Sequence, residues 1–498
     1  MSLLGIDIGT TGCKSIAFSL RGDLIASSYR EYDFVSPQPG YAELSGTEVW
    51  NKIKDTIKEV GAATKKDPIT AISSSSMGEA LVPVTRDRRI VGNSLLQNDL
   101  RGDEFLQELL TKTTPEKVYR INGNFPDVFF SMPKIAWLRK YKPEVYDGTD
   151  YFLPWADFAT FMLGGEPCTN HSLANRTLLF DIHKQQWSTE LFKLAGLDTS
   201  KFAPPVASGT HTGNVLPAIA RELGLGLDTA LVSGGHDQCC AALGSGVTGE
   251  GRVAMYGMGT YICIVPVFSS IPSFDLMFSN RLHTENHIVP GKYISFIYNI
   301  SGGALVKWYK NTFANLNREH PQMYSVNYDS LFAEIPEAHT NIVVVPRFGP
   351  TGPPDFFRTS AGTISGLSFE HTRADILLAT LEGITFYFRE FFRFPENNFF
   401  NIEKFVASGG GSRSDKWLQV TSNILNKPVA RNKTIEAGSL GAAILAGAGS
   451  RVFNSMVETA AAMVKLDKEI LPVKKEVEFY DAKYEAYLQL YTHLKEQK

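Results

Sequence analysis

Apolar and polar positions alternate between strand-like and helix-like patterns along the whole chain. The run Leu3-Leu4-Gly5-Ile6-Asp7-Ile8 is apolar except for one acid. Gly9-Thr10-Thr11-Gly12 then breaks it, an apolar run resumes at 15–20, and a third begins at Leu24. Short apolar runs divided by glycine turns predict a β-meander. Between 47 and 63 the apolar residues Val49, Trp50, Ile53, Ile57 and Val60 recur at spacings of three and four, which predicts a helix. Strands are predicted at 69–73 and 81–84. The second half repeats the opening: strand 252–256, the turn Gly257-Met258-Gly259-Thr260, then strand 261–267. Further on come a helix at 374–392, a strand at 405–408, a helix at 414–425, a strand opening at 428–429, a helix of small residues at 437–448, and a C-terminal helix after Tyr480.

Two halves that both open on strand, Gly-Thr turn, strand indicate an internal duplication. Related α/β halves facing one another leave a cleft between them, where ligands usually bind. Length agrees: 498 residues exceed one hydrophobic core and call for two domains of about 250 residues each. The glycine-rich segment 244–251 supplies the boundary, giving domains 1–247 and 248–498.

Charge narrows the function. A net charge of −3 offers no general attraction to nucleic acid or anionic membrane, so any phosphate must be bound locally. No apolar run approaches the roughly 18 residues of a membrane span, and no basic, signal-like segment opens the chain. The five cysteines show no CxxC spacing and read as small buried residues of a reducing compartment. A cytoplasmic protein is expected.

Four segments carry candidate chemistry. In Asp7-Ile8-Gly9-Thr10-Thr11-Gly12-Cys13-Lys14, a tight turn aims backbone N–H groups and hydroxyls at one spot, as phosphate binding requires. Asp7 beside it suits a magnesium ion held through water, and Lys14 adds a point charge. A plain glycine hairpin is the alternative. Gly259-Thr260 is a second such turn. In Ser233-Gly234-Gly235-His236-Asp237-Gln238, an apolar strand meets two glycines, an acid and a helix start. Asp237 there is either a helix cap or a carboxylate that takes a hydroxyl proton. In Ser408-Gly409-Gly410-Gly411-Ser412, three glycines join a strand to a helix. They are either a tight turn or a close approach to a nucleotide at a helix N-terminus. The spacing is that of neither GxGxxG nor a P-loop.

Taken in order, Asp-x-Gly-Thr-Thr, Gly-Gly-x-Asp-Gln, Gly-x-Gly-Thr, Ser-Gly-Gly-Gly-Ser and Ala-Gly-x-x-Gly-Ala-Ala resemble the FGGY carbohydrate kinases. The resemblance runs from about residue 3 to residue 447. Gly362-Thr363-Ile364-Ser365-Gly366-Leu367 with Asp375-Ile376 and Ala379-Thr380-Leu381-Glu382 fits the family's C-terminal signature. Ser131, Lys134-Ile135, Trp137-Leu138 and Lys140 nearly fit the N-terminal one, which departs at Tyr141. The resemblance implies an α/β fold of two ribonuclease-H-like, actin-like ATPase domains around a central cleft. It implies Asp237 as general base, ATP and Mg²⁺ as cofactors, and Asp7 as the magnesium acid. It implies Thr10, Thr11, Lys14, Gly259 and Thr260 at the phosphates, with Gly303, Gly409, Gly410, Gly411, Ser412 and Ala437 on the nucleotide side. Trp308 resembles part of the cleft lining.

Acceptor residues depart from the known patterns. Met77-Gly78-Glu79-Ala80 stands where xylulose kinases carry Gln-Met-His-Gly and glycerol kinases Gln-Arg-Glu-Thr. Gln97-Asn98-Asp99-Leu100-Arg101 replaces Trp-x-Asp-x-Arg, and 349–354 lacks Gly-Glu-Arg. Glu79, Asp99, Arg101, His236 and Gln238 are the acceptor-side candidates. Glu79 as a solvated loop acid and Arg101 as a structural partner of an acid stay open. A neutral sugar or polyol is the expected partner, with homodimer formation left open. Two other readings stand beside it: a kinase of a sugar acid such as gluconate, and an ATP-binding regulator of the same fold without a small acceptor.

Overall fold

The computed structural model describes residues 1–249, 252–314, 326–353, 355–357, 359–392 and 400–496. Glu250 and Gly251 of the expected boundary segment, and Pro354, lie outside the described residues.

The first sheet grows from the expected meander. Strands β1 (Ser2–Ile8), β2 (Gly12–Ser19) and β3 (Leu24–Glu31) are antiparallel neighbours, and helix α1 (Gly46–Ala63) leads into β4 (Ile69–Ser76). After a long helical insertion come β5 (His211–Asn214), β6 (Ala230–Val232), β7 (Gly235–His236) and helix α2 (Asp237–Gly244). The strand order is β5-β6-β4-β1-β2-β3, with β7 also paired to β4. β4 runs three residues past its expected end. Ser73 to Ser76 are fully buried, so no apolar residue marks that extension.

The second sheet contains β8 (Val253–Met258), β9 (Ile262–Phe268), β10 (Glu285–Asn286), β11 (Tyr293–Ile294) and β12 (Ile297–Asn299). Helices α3 (Gly303–Tyr309) and α4 (Arg373–Phe392) follow. The sheet then gains β13 (Lys404–Ser408), α5 (Asp415–Leu425) crosses, and β14 (Val429–Asn432) comes next. Helix α6 (Ala437–Gly449), β15 (Leu466–Ile470) and helix α7 (Lys474–Glu496) complete the chain. The order is β10-β11-β9-β8-β13-β14-β15, with β12 on β9.

The duplication is real in topology. β1 is antiparallel to β2 and parallel to β4, which is parallel to β6. β8 is likewise antiparallel to β9 and parallel to β13, which is parallel to β14. The two sheets share one plan, that of the actin-like ATPases.

Helix α6 ties the halves together. It comes late in the chain but lies on the first sheet and on α2. A Cβ at Gly5 of β1 would sit 1.8 Å from the Ser439 carbonyl oxygen, and one at Gly441 would sit 1.9 Å from that of Cys240. Its small residues therefore serve close packing against strand and helix. Hydrophobic residues of both halves join in one core cluster at this seam, Leu3, Cys240, Leu440 and Val406 among them. All five cysteines are buried and free. Among the described residues no helix is long and apolar enough to cross a membrane.

One expectation needs correction. α7 begins at Lys474, not after Tyr480. Its first turn carries Lys474, Lys475 and Glu476, which hide it from hydrophobic periodicity, and Pro472 separates it from β15. The helix expected at 414–425 is present, and a short turn links it to the glycines after β13. Gly410–Arg413 forms a 3₁₀ turn, and α5 starts at Asp415 with Ser414 as its cap.

Candidate active site

The first hairpin closes with Gly9 N–H donating to the Gly12 carbonyl at 2.9 Å. The Tyr32 hydroxyl donates to the Gly9 carbonyl at 2.6 Å, and Gln97 Nε2 donates to Thr10 Oγ1 at 3.3 Å. Thr11 is exposed at the tip. Asp7 stands in register with Lys14 on one side and Ser75 on the other. Its carboxylate lies against the start of α6, where a Cβ at Gly438 would come within 3.2 Å of Oδ2. Burial, and next the charge of Asp237, raise the Asp7 carboxyl to about 6. A half-buried pair of like-charged acids at this spot is the setting a divalent cation relieves.

The second hairpin meets two other candidates. Gly259 accepts from the Gly303 N–H at 3.0 Å, and Thr260 accepts from the Ala304 N–H at 2.9 Å. Gly409 has φ 88°, and a Cβ there would sit 2.9 Å from the Met258 carbonyl oxygen. Gly259, Thr260, Gly303 and Gly409 thus converge. Ser412 spends its hydroxyl inside the turn, donating to the Gly409 carbonyl at 2.7 Å. Gly411 packs on Trp417, whereas Gly410 faces open space. Ser408 Oγ donates to the Ile435 carbonyl at 3.1 Å, which places Ala437 beside this group.

Asp237 is the first residue of α2. The N-cap is His236, and no side chain caps this helix end, so the capping alternative for Asp237 fails. Gln238 follows it on the helix, half-buried. Asp237 Oδ1 is buried without a hydrogen bond among the described residues, while the side chain as a whole is 39% exposed. Its near neighbour is His236, with Nε2 at 3.2 Å from Oδ1.

Beside them lies a buried charge cluster that local sequence patterns do not show. Arg176 donates Nε to Glu79 Oε1 at 2.7 Å, with Nη2 on the same oxygen, and Nη1 to Asn124 Oδ1 at 3.0 Å. Nη1 also lies 3.8 Å from Glu285 Oε2. Glu79 is therefore buried and paired, not a solvated loop acid. Arg176 packs between the Phe130 and Phe296 rings, 4.8 and 5.1 Å from their centroids. Arg176 and Glu285 belong to no motif and were missed by sequence reasoning.

Asp99 and Arg101 are committed to each other. Asp99 has no exposed surface and accepts from the N–H groups of Ala42 and Arg101 at 2.7 and 2.9 Å. The Arg101 guanidinium donates to both Asp99 oxygens and pairs with Glu43 at 2.7 Å. It stacks over Tyr41 and Trp137 at 4.0 and 4.8 Å.

Two sheets of one plan, each opening on a hairpin with a glycine-containing turn, define the actin-like architecture. Comparison with known proteins names the family. The models for the N-terminal and C-terminal domains of the FGGY family of carbohydrate kinases match residues 2–244 and 258–450, and the chain belongs to that family. It is 28% identical over 502 aligned positions to the xylulose kinase of Staphylococcus epidermidis, covering 99% of this chain and 97% of that one. It is 28% identical to the glycerol kinase of Chromobacterium violaceum, covering 94% and 93%. The crystal structure of xylulose kinase from Rhodospirillum rubrum superposes with a TM-score of 0.85 at 25% identity, covering 99% of each chain. Membership makes this chain a carbohydrate kinase, with ATP binding as expected for the family, and sets aside the reading as a regulator without a small acceptor.

Proposed function

We propose that the chain transfers the γ-phosphoryl group of ATP to a hydroxyl of a small neutral sugar, ketose or polyol, with Asp237 as general base. One observation carries this reading. Asp237 stands on a strand-to-helix junction with its carboxylate free of any capping duty and near enough to Asp7 for its charge to raise that carboxyl. Phosphoryl transfer asks for positioning and charge neutralisation more than strong base chemistry, so one fixed carboxylate suffices.

In this reading residues 1–247 hold the acceptor and the base, and residues 248–498 hold the nucleotide. Thr10, Thr11, Lys14, Gly259 and Thr260 bind the phosphates. Gly303, Gly409 to Ser412 and Ala437 line the adenosine side. The hard oxygens of Asp7 suit Mg²⁺ held through water, and the cation when bound offsets charge on the β- and γ-phosphates. The acceptor hydroxyl gives its proton to Asp237 as its oxygen bonds to the γ-phosphorus and ADP departs.

A neutral acceptor follows from how the cations are spent. Arg176 is taken up by Glu79 and Glu285, Arg101 by Asp99 and Glu43, and His236 by Glu285 and Asp237. None of these is left over for a substrate carboxylate, which supports a neutral acceptor over a sugar acid.

An ATP-consumption screen over pentuloses, tetritols, pentitols, deoxy sugars and sugar acids tests the acceptor. Turnover on a sugar acid with none on neutral compounds overturns it. Asp237→Asn tests the base: ATP binding persists while turnover falls by about 10²- to 10⁴-fold. Near-wild-type turnover of that variant removes the assignment.

A further inference from the structure

The imidazole of His236 bridges two carboxylates that come from opposite halves of the chain. Nδ1 lies 2.9 and 3.1 Å from the two Glu285 oxygens, and Nε2 lies 3.2 Å from Asp237 Oδ1. The histidine side chain is 7% exposed and Glu285 is fully buried. Glu285 belongs to β10, at the edge of the second sheet, whereas His236 and Asp237 join β7 to α2 beside the first. The contact to Asp237 is an ion pair with its angle off the hydrogen-bond line, and Oδ1 has no other polar partner among the described residues.

A ring with a carboxylate at each nitrogen is stable when both nitrogens carry hydrogen. The hydrogen bond to Glu285 requires hydrogen on Nδ1, and the Asp237 charge 3.2 Å from Nε2 favours a second proton there. The charges agree with this geometry: burial disfavours the charged ring, but Glu285 and Asp237 outweigh it, even with Arg176 nearby.

The ring also has a built place. A Cβ at Gly78 would meet His236 Nε2 at 3.1 Å, its Cδ2 at 3.2 Å and Arg176 Cγ at 3.0 Å. Glycine at 78, where the acceptor loop departs from the family's patterns, leaves His236 and Arg176 in place; a side chain there would push them aside by a few tenths of an ångström. Glu285 is held in turn: Cys239 Sγ donates to its Oε1 at 3.2 Å, and Arg176 lies on its other oxygen. His236, Cys239 and Glu285 offer three donor types used for metals, all within 4.8 Å of one another. The Arg176 guanidinium already supplies the positive charge there, and burial holds Cys239 as a thiol, so a positioning role fits this cluster better.

We propose that His236 is a positioning residue for Asp237, held in place by Glu285 from the opposite half of the molecule. The proposal rests on the reading of Asp237 as the base. The imidazolium charge holds Oδ1 by ion pairing at 3.2 Å and leaves Oδ2 to the acceptor hydroxyl. Because the chain Glu285–His236–Asp237 spans both halves, their relative placement sets the aim of the base.

The test uses the full chain, Mg·ATP and the screened compound of highest turnover. His236→Ala is expected to lower kcat by about 10- to 100-fold, the scale of a base displaced by about 1 Å, with acceptor KM within about twofold. His236→Gln keeps a polar N–H beside Asp237 but not the charge and is expected to regain part of that loss. Glu285→Gln keeps the shape and is expected to lower kcat by about 3- to 10-fold. ATP affinity measured by calorimetry stays near wild type in all three. A His236→Ala enzyme with wild-type kcat and raised acceptor KM overturns the proposal, since it makes His236 a substrate contact. A Gln variant no better than Ala, or an unaffected Glu285→Gln enzyme, overturns it too. Asp237→Asn is assayed alongside. If it turns over normally, the base reading itself falls. If it is inactive while His236→Ala is unaffected, only the positioning role falls.

Discussion

Lys14 and Glu436 form an ion pair, Nζ to Oε2 at 2.6 Å, between the first hairpin and the residue before α6. Lys14 stands opposite Asp7 in the hairpin register, yet its ammonium is drawn to Glu436. Asp7 keeps a carboxyl raised to about 6, by burial and then by Asp237.

A stability prediction follows with a definite sign. The folded pKa of Asp7 exceeds the ordinary value near 3.9, so the fold disfavours its ionised form. That cost is absent well below pH 4, grows as pH rises through about 6, and is complete above it. Asp7→Asn removes it. In protein free of nucleotide and magnesium, the variant is expected to melt about 2–4 °C higher at pH 8, allowing for partial exposure of the carboxylate. The gap should close toward pH 4. Equal melting temperatures at pH 8 would show that the two acids do not strain the empty site. Kinase turnover of the same variant should be lost.

The Asp99–Arg101 pair predicts a different kind of loss. Asp99 is wholly buried, and its oxygens are bound by the Ala42 and Arg101 N–H groups and by the guanidinium. Arg101→Ala leaves a buried carboxylate with half its partners gone, a change that costs about 3–5 kcal/mol. Arg101→Lys should recover little, because a point charge replaces a planar fork stacked between Tyr41 and Trp137. Urea unfolding measures both. Unchanged stability with a raised acceptor KM would instead assign the pair to the acceptor.

Much of the architecture is visible in residue order because its signals are local. Both hairpins announce themselves by apolar runs around Gly-Thr turns, and α6 by its small residues. The four serines of β4 are buried polar residues and give no such signal. The site divides the same way. Its glycine turns and two acids sit in short motifs. The partners that decide their electrostatics do not: Arg176 reaches Glu79 across 97 residues, and Glu285 reaches His236 across 49. Such pairings depend on how the elements fold together. Gly78, where the chain departs from the family's patterns, has the His236 ring beside it.

Gly409 and Gly410 are adjacent glycines in different surroundings, which lets an effect on the fold be told from an effect on nucleotide binding. Gly409 needs its left-handed φ of 88°, and a Cβ would strike the Met258 carbonyl. Alanine there strains the turn whatever binds. A Cβ at Gly410 meets nothing within 4 Å. Neither backbone strain nor packing calls for glycine at 410, and the proposed function brings the nucleotide close to it. Gly410→Ala should leave the melting temperature of the free protein unchanged. It should raise the ATP KM by about tenfold, equal to about 1.4 kcal/mol of lost binding, with the acceptor KM unaltered. Steady-state kinetics in both substrates, set beside a thermal scan, checks this. Unchanged ATP KM would place the nucleotide away from the glycine turn after β13.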